Sequence, residues 1–136
     1  MIELKTKEEI DRMRIAGHHC ADVMDAVIEA VKPCVTTQNL DAVAEEMTLK
    51  IGGVPSFKNY RGFPASICAS VNEEVVHGIP GSRVLEEGDI ISIDMGVKLH
   101  GYHSDMARTV PVGKISKEAQ RLIEYTKKSF FEGIKE

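Results

Sequence analysis

Apolar residues recur at helical spacing in two segments near the start of the chain. Residues Thr6 to Glu9 have the form of a capping box, in which the Thr6 hydroxyl and the Glu9 carboxylate satisfy free backbone donors. Apolar positions then repeat every three or four residues until Pro33, which predicts a long first helix. The same spacing from Gln38 to Ile51, followed by two glycines, predicts a second helix.

The pattern then changes to short runs rich in β-branched residues. The predicted strands are Ser66 to Val71, Val75 to Gly78, Ile90 to Val97 and Tyr102 to Val112. The segment 53–64 is a loop rich in glycine, proline and aromatic residues, whose rings either wall a ligand pocket or pin the loop to the core. Helices followed by strands predict an α/β domain of the α+β type, with two helices packed on an antiparallel sheet.

A third helix is predicted from Ser116 onward, with an apolar face that includes Phe130 and Phe131 near the end of the sequence. Its start, Ser-Lys-Glu, parallels the Thr-Lys-Glu that opens the first helix. We therefore interpret residues 1–113 as a first repeat unit and 114–136 as the opening helix of a second, within a single domain 1–136. On this interpretation the sequence stops part-way through a two-unit fold.

Composition limits the classes of function. The chain has 136 residues, of which 43% are hydrophobic, as expected for one soluble domain. A net charge of −4 gives no electrostatic basis for binding DNA or an anionic membrane. No apolar run approaches the roughly 20 residues of a membrane span, and the N-terminus does not have the pattern of a signal peptide. Three cysteines without C-x-x-C spacing favour free thiols and a cytoplasmic location.

Asp94 and Asp105 are the main candidate chemistry. The turn at 98–101 joins the two strands that carry them, and a register centred between Leu99 and His100 would place the aspartates directly opposite each other. Their Cβ atoms would then lie about 5 Å apart on one face of the sheet. Two such carboxylates repel each other unless a cation, most simply a divalent metal, lies between them. The alternatives are that one aspartate faces solvent or that the register puts them on opposite faces.

Two motifs resemble a known family. The sequence VNEEVVHGIP at 71–80, followed by LEEGDIISIDMGVKLHGYHSDMARTVPVG at 85–113, is similar to the methionine aminopeptidases of the bacterial type I class. The resemblance extends over essentially the whole chain. It implies one half of a "pita-bread" α/β fold, in which two similar halves enclose a dinuclear metal site. The implied activity is removal of the initiator methionine from peptides and nascent chains.

The resemblance also implies roles for individual residues. Asp94 and Asp105 match the two aspartate ligands of the metal ions, which are cobalt, manganese, iron or zinc, because carboxylates accept several divalent ions. His77 matches the catalytic histidine that contacts the scissile peptide of the substrate. On residue type alone, a single histidine at a predicted strand end is more often structural.

The substrate pocket and a cation site follow from the same resemblance. Tyr60, Phe63 and Cys68 match positions that line the methionine side-chain pocket, with His77 beside them. Phe57 stands where many family members have a smaller residue. Asn72 lies in a loop that, in the family, binds a monovalent cation through backbone oxygens.

The chain also departs from the family pattern. Family members are nearly twice as long, and their histidine ligand and two glutamate ligands would lie beyond Glu136. We do not expect His100 or His103 to replace them, because both flank the hairpin turn. The chain alone is then expected to be inactive or nearly so, with a missing C-terminal half or a second copy as its partner. The alternative is a non-catalytic truncated fold unit, or a self-associating half-domain with a partial metal site.

Overall fold

The computed structural model describes residues 2–136, and these form an α+β domain, as predicted. In chain order the elements are α1 (Lys7–Ala30), α2 (Thr37–Lys50), β1 (Val54–Pro55), a 3-10 turn (Tyr60–Gly62), β2 (Ile67–Val71), β3 (Ile90–Met95), β4 (Val97–Leu99), β5 (Tyr102–His103), β6 (Met106–Pro111) and α3 (Lys117–Gly133). None of the helices within residues 2–136 combines the length and the apolarity that crossing a bilayer requires.

Both N-terminal helices begin where side chains replace missing backbone partners. In α1 the Glu9 N–H donates to the Thr6 hydroxyl at 3.3 Å, and the Thr6 N–H donates to the Glu9 carboxylate at 2.7 Å, which confirms the predicted capping box. Thr36 and Asn39 make the same reciprocal pair at the start of α2. The caps therefore fix where each helix starts.

Residues 2–136 contain two antiparallel sheets of three strands each. Their strand orders are β1-β4-β5 and β2-β3-β6. Gly96 alone separates β3 from β4, and residues 104–105 separate β5 from β6. Strands β3 and β4 thus form one arm of a long hairpin and β5 and β6 the other, with β1 paired to β4 and β2 paired to β3.

The register of this hairpin differs from the predicted one. Leu99 pairs with Tyr102, and Asp94 pairs with Ala107 instead of Asp105. The turn therefore consists of His100 and Gly101, whose φ angles are 51° and 87°. Positive φ at both central residues is the tight turn whose twist matches that of the strands, so the chain reverses one position later than we predicted.

The predicted strand at Val75 to Gly78 is also wrong. The segment is irregular, and His77 has a φ of 60°, a left-handed conformation that interrupts an extended run. Residues 75–78 make one backbone hydrogen bond to β2, in which the Ala69 N–H donates to the Gly78 carbonyl at 2.8 Å. The other predicted strands are present, although two of them are divided. The one predicted from Ile90 to Val97 is interrupted at Gly96, between β3 and β4, and the one after Tyr102 is divided into β5 and β6.

The core lies between the helices and one face of the sheet. Burial alternates along β3, so that Ile91, Ile93 and Met95 are buried while Ile90, Ser92 and Asp94 are only partly covered. The buried residues that α1 contributes are Ala16, Cys20, Val23, Met24 and Val27, and the main apolar contribution of α2 is Leu40 and Ala44. The period-two burial of β3 therefore directs Asp94 away from the helices.

Helix α3 begins at the predicted cap, where the Ala119 N–H donates to the Ser116 hydroxyl at 3.1 Å. None of its residues is buried, and Phe130 and Phe131 remain 64% and 49% exposed. The predicted helix is present as Lys117–Gly133, and its apolar face is in contact with solvent. The boundary between repeat units at residues 113 and 114 stays a prediction.

Candidate active site

An open cavity of about 830 Å³ brings together nearly all of the predicted site residues. Its lining residues are Ser56, Phe57, Tyr60, Arg61, Gly62, Phe63, Pro64, Cys68, His77, Ile79, Asp94, His103, Ser104 and Asp105. Of the predicted site residues, only Asn72 is not among them. The cavity has a carboxylate side, a histidine and an aromatic wall.

Asp94 and Asp105 share the cavity although they are not directly opposite each other. Asp94 faces Ala107 across the ladder, so Asp105, which directly precedes β6, lies two residues before this partner along the chain. Both aspartates line the cavity, on the same side of the sheet. This diagonal position is within reach of long or charged side chains. The prediction of a shared face is confirmed, and the prediction of direct opposition is wrong because the turn lies one residue further along.

The electrostatics of Asp94 reflect this arrangement. Burial raises the pKa of the Asp94 carboxyl, the negative charge of Asp105 and its side-chain interaction raise it further, and nearby His77 opposes the shift. Burial first, and the charge of Asp105 second, therefore disfavour the ionised form of the Asp94 carboxyl. A cation placed between the carboxylates would stabilise that ionised form.

The donor set fits a divalent metal ion only in part. Two carboxylates offer the hard oxygen ligands that such ions accept. Within residues 2–136, however, no three His, Cys, Asp or Glu side chains lie close enough together to hold a metal ion. His103 lines the cavity as well.

His77 reaches the cavity because the loop behind it is fastened to β2. The Gly78 N–H donates to the Ser70 hydroxyl at 3.0 Å, and the Gly78 carbonyl accepts from the Ala69 N–H. A Cβ at position 78 would lie 2.5 Å from the Ala69 carbonyl oxygen, so only glycine allows this approach. The left-handed backbone of His77 costs about 1–3 kcal/mol, and such strain is commonest at functional sites.

The apolar part of the cavity adjoins the carboxylates. Cys68 is 4% exposed and pairs with Asp94 across β2 and β3. Burial, followed by the charges of Asp94 and Asp105, raises the pKa of its thiol to about 11, so the thiol is neutral near pH 7. Phe63 is half-buried, and Tyr60 lies exposed at the opening with the Arg61 guanidinium 5.5 Å from its ring centre. This arrangement suits an apolar side chain attached to a group that the carboxylates attract.

The Asn72 side chain is already engaged in the fold. Its amide donates to Asp89 at 2.8 Å, and its oxygen accepts from the Ile90 N–H at 3.0 Å. These bonds close the turn that leads into β3. A monovalent cation held by backbone oxygens near Asn72 stays a prediction.

Sequence reasoning did not assign a role to several residues of the cavity. Ser56 and Ser104 come from two separate loops. Ser104 lies within the motif at 85–113, next to Asp105, but the motif gave it no role. Ser56 reaches the cavity because β1 pairs with β4, a contact between Val54 and Lys98 that is distant in sequence. Only the register of this pairing could have placed it there.

Comparison with known proteins identifies the family. The sequence pattern of metallopeptidase family M24 matches residues 11–136. The chain belongs to this family. It is 54% identical over 134 residues to the methionine aminopeptidase of Clostridium perfringens, covering 98% of this chain and 54% of that protein. Methionine aminopeptidase 1 of Bacillus subtilis is 52% identical over 136 residues, which cover 100% of this chain and 55% of that protein.

Solved structures of similar proteins show the same architecture. The methionine aminopeptidase of Rickettsia prowazekii superimposes with a TM-score of 0.97 at 38% identity, covering 98% of this chain and 54% of that one. The prolidase of Pyrococcus furiosus gives 0.76 at 26% identity, covering 89% of this chain and 34% of that one. The predicted fold, one half of a pita-bread fold, is confirmed. The chain spans about half the length of the curated bacterial methionine aminopeptidases it matches.

Proposed function

We propose that this M24 chain forms the first half of a methionine aminopeptidase site, which removes the N-terminal methionine of peptides and nascent chains. The observation that carries the proposal is the convergence of Asp94, Asp105 and His77 on one cavity with an apolar wall. The identity of 54% to a methionine aminopeptidase supports the same activity class. The location proposed is the cytoplasm, where free thiols persist.

Each group in the cavity has a proposed task. Asp94 and Asp105 would hold divalent ions of cobalt, manganese, iron or zinc, which when bound lower the pKa of water and polarise carbonyl groups. His77 would contact the scissile peptide group of the substrate through a hydrogen bond. Its exposed position on the fastened loop leaves the imidazole accessible to a peptide.

The substrate side chain would lie against the wall formed by Tyr60, Phe63 and Cys68. A neutral thiol and two rings present an apolar surface, which favours an unbranched apolar side chain such as that of methionine. Phe57 also lines the cavity and adds bulk to this wall. The neighbouring carboxylates would attract the free amino group, which restricts binding to peptide N-termini.

We further propose that the metal site is incomplete within residues 2–136. The two aspartates are the ligands this half supplies, and a histidine and two glutamates would have to come from a second half. A lone pair of carboxylates should bind divalent ions weakly, because no third ligand approaches them within the described residues. Methionyl-peptide hydrolysis by the 136-residue chain should then be at trace level.

A second candidate function is a non-catalytic unit that self-associates. The exposed apolar face of α3, including Phe130 and Phe131, supports it, because exposed apolar area of this kind favours association. Sedimentation would then show dimers whose formation does not depend on metal. A peptidase assay of the same dimers would show no activity.

The proposed activity is tested by joining this chain to the C-terminal half of the Bacillus subtilis enzyme. The fusion should hydrolyse methionyl peptides when a divalent metal is added, whereas the 136-residue chain should not. Asp94→Asn should lower the turnover of the fusion by at least about 100-fold, because it removes a ligand. His77→Ala should lower kcat by about 100-fold and affect KM less, as for the loss of one hydrogen bond to the reacting group.

The matched control is Glu73→Gln, the same change of a carboxylate to an amide at an exposed residue outside the cavity. It should leave turnover unchanged. Full turnover by the unfused chain would overturn the half-site proposal. Normal turnover of the Asp94→Asn fusion would overturn the assignment of Asp94.

A further inference from the structure

The two carboxylates differ in how the fold holds them. Asp94 lies in β3, the central strand of its sheet, with Cys68 and Ala107 as neighbours on either side. Asp105 lies in the gap between β5 and β6 and belongs to no strand. It is also exposed, whereas Asp94 is partly covered. The position of Asp105 must therefore depend on contacts that the regular ladder does not provide.

The gap is bridged by a serine side chain. The Ser104 N–H donates to the Val97 carbonyl at 2.9 Å, and the Val97 N–H donates to the Ser104 hydroxyl at 3.2 Å. The hydroxyl replaces the ladder bond that a continuous strand would make at this point. These bonds fix the residue immediately before Asp105.

A second contact holds the same segment from the side. The Ser56 N–H donates to the Gly96 carbonyl at 2.8 Å, and the Ser56 hydroxyl lies 2.9 Å from Nδ1 of His103, within hydrogen-bonding distance. His103 is two residues before Asp105, and Ser56, His103 and Asp105 all line the cavity. The contact connects the loop after β1 to the end of β5.

The backbone at Gly96 is in close contact with both Ser56 and Ser104. A Cβ there would lie 2.6 Å from the Ser104 carbonyl oxygen and 3.0 Å from the Ser56 Cβ. The segments before Asp105 and after β1 are thus packed against the same glycine. A shift of Ser56 or His103 would be transmitted to the segment that carries Asp105.

We propose that Ser56 and His103 form a positioning pair that holds Asp105 beside Asp94 in the geometry for binding a divalent ion. The inference rests on the proposed function, because it requires the two aspartates to bind metal. The pair acts through Asp105, since the His103 Nδ1 is engaged with Ser56 and no third ligand joins the aspartates within residues 2–136. Partners that orient a ligand typically change metal affinity by about 10–100-fold when removed.

The test is a titration of the whole 136-residue chain with Mn²⁺. Binding is measured by NMR as the paramagnetic broadening of backbone amide signals around Asp94 and Asp105, which detects even weak binding. Ser56→Ala and His103→Ala should each weaken Mn²⁺ binding by about 10-fold, while amide signals in α1 and α2 keep their positions. His103→Asn keeps a polar atom near the place of Nδ1 and should restore most of the affinity. Lys98→Ala, at the exposed cross-strand neighbour of His103, is the control and should bind as the wild type.

The double variant Ser56→Ala/His103→Ala separates positioning from a general loss of structure. If the two residues act as one unit, it should bind Mn²⁺ no more weakly than either single variant, because residues that share one interaction are not additive. Wild-type affinity in Ser56→Ala and His103→Ala, with loss only in Asp105→Asn, would overturn the positioning pair and leave the proposed function intact. If the wild type shows no broadening, or if Asp94→Asn and Asp105→Asn each show the same broadening as the wild type, the positioning pair and the proposed function are both overturned. If Ser56→Ala fails to fold, the comparison of His103→Ala with His103→Asn decides: equal affinities would overturn the pair.

Discussion

The two faces of β3 carry side chains of opposite character. On the helix side, Ile91, Ile93 and Met95 are at most 1% exposed and belong to the main core. On the cavity side, Ser92 shares a hydrogen bond with Thr109, and Asp94 faces a second carboxylate. One face contributes to the stability of the domain, and the other face carries charge that opposes it.

This difference explains how one short strand serves both structure and chemistry. The buried face fixes the backbone of β3, and because side chains alternate, it fixes the direction of Asp94 as well. The raised pKa of Asp94 is the corresponding electrostatic cost. Substitution of a core residue such as Ile93 and substitution of Asp94 should therefore have opposite effects on the stability of the metal-free protein.

The largest expected effect on stability is on the buried face. Ile93→Ala should lower the free energy of unfolding by about 2–5 kcal/mol, because it removes buried methyl groups and leaves a cavity. Urea denaturation measures the loss. The matched control is Ile90→Ala in the same strand, where the side chain is only partly covered and the loss should be clearly smaller. Equal losses at the two positions would contradict the assignment of the two faces.

The next effect concerns the end of the strand at Gly96. Gly96→Ala should lower the free energy of unfolding by about 1–3 kcal/mol, because the added methyl group meets the Ser104 carbonyl oxygen and the Ser56 side chain. Gly17→Ala is the control, since nothing lies within 4 Å of a Cβ there and the site is inside α1. That change should raise stability by about 0.5–1 kcal/mol. A neutral Gly96→Ala would show that the two sheets are not tightly joined at this point.

The smallest effect, and of opposite sign, belongs to the cavity face. The folded protein raises the pKa of Asp94, so between the ordinary value of 3.8 and the raised value the native state binds more protons than the unfolded state. The contribution of Asp94 to stability therefore falls as the pH rises through this window. Metal-free Asp94→Asn should be more stable than the wild type at pH 7, and its advantage should disappear as the pH falls toward 3.8. Thermal melts over this range measure it; an Asn variant less stable at pH 7 would contradict the sign.

The local patterns of the sequence predicted the helices and their caps well. Thr6 and Ser116 start their helices as expected, because capping depends on residues close in sequence. The run of β-branched residues likewise predicted the strand that carries Asp94. The family resemblance added His77 and the pocket residues, which spacing alone left open.

The errors concern features that depend on backbone conformation or distant contacts. The hairpin turn uses His100 at positive φ, although histidine is not a usual residue for that position, so the register was misplaced. The backbone of His77 is left-handed as well, and a residue in this conformation cannot continue the strand that we predicted at Val75 to Gly78. The contact of Ser56 with His103 joins residues far apart in sequence and has no local signal.

The central claim is that Asp94 and Asp105 together bind a divalent cation. It is tested most directly by the thermal unfolding of the 136-residue chain at pH 7 with and without Mn²⁺, since a ligand that binds only the folded state raises the midpoint. Mn²⁺ should raise the midpoint of the wild type and of the control Glu73→Gln, and should have no effect on Asp94→Asn or Asp105→Asn. The same rise in all four proteins, or no rise in the wild type at millimolar Mn²⁺, would contradict the claim.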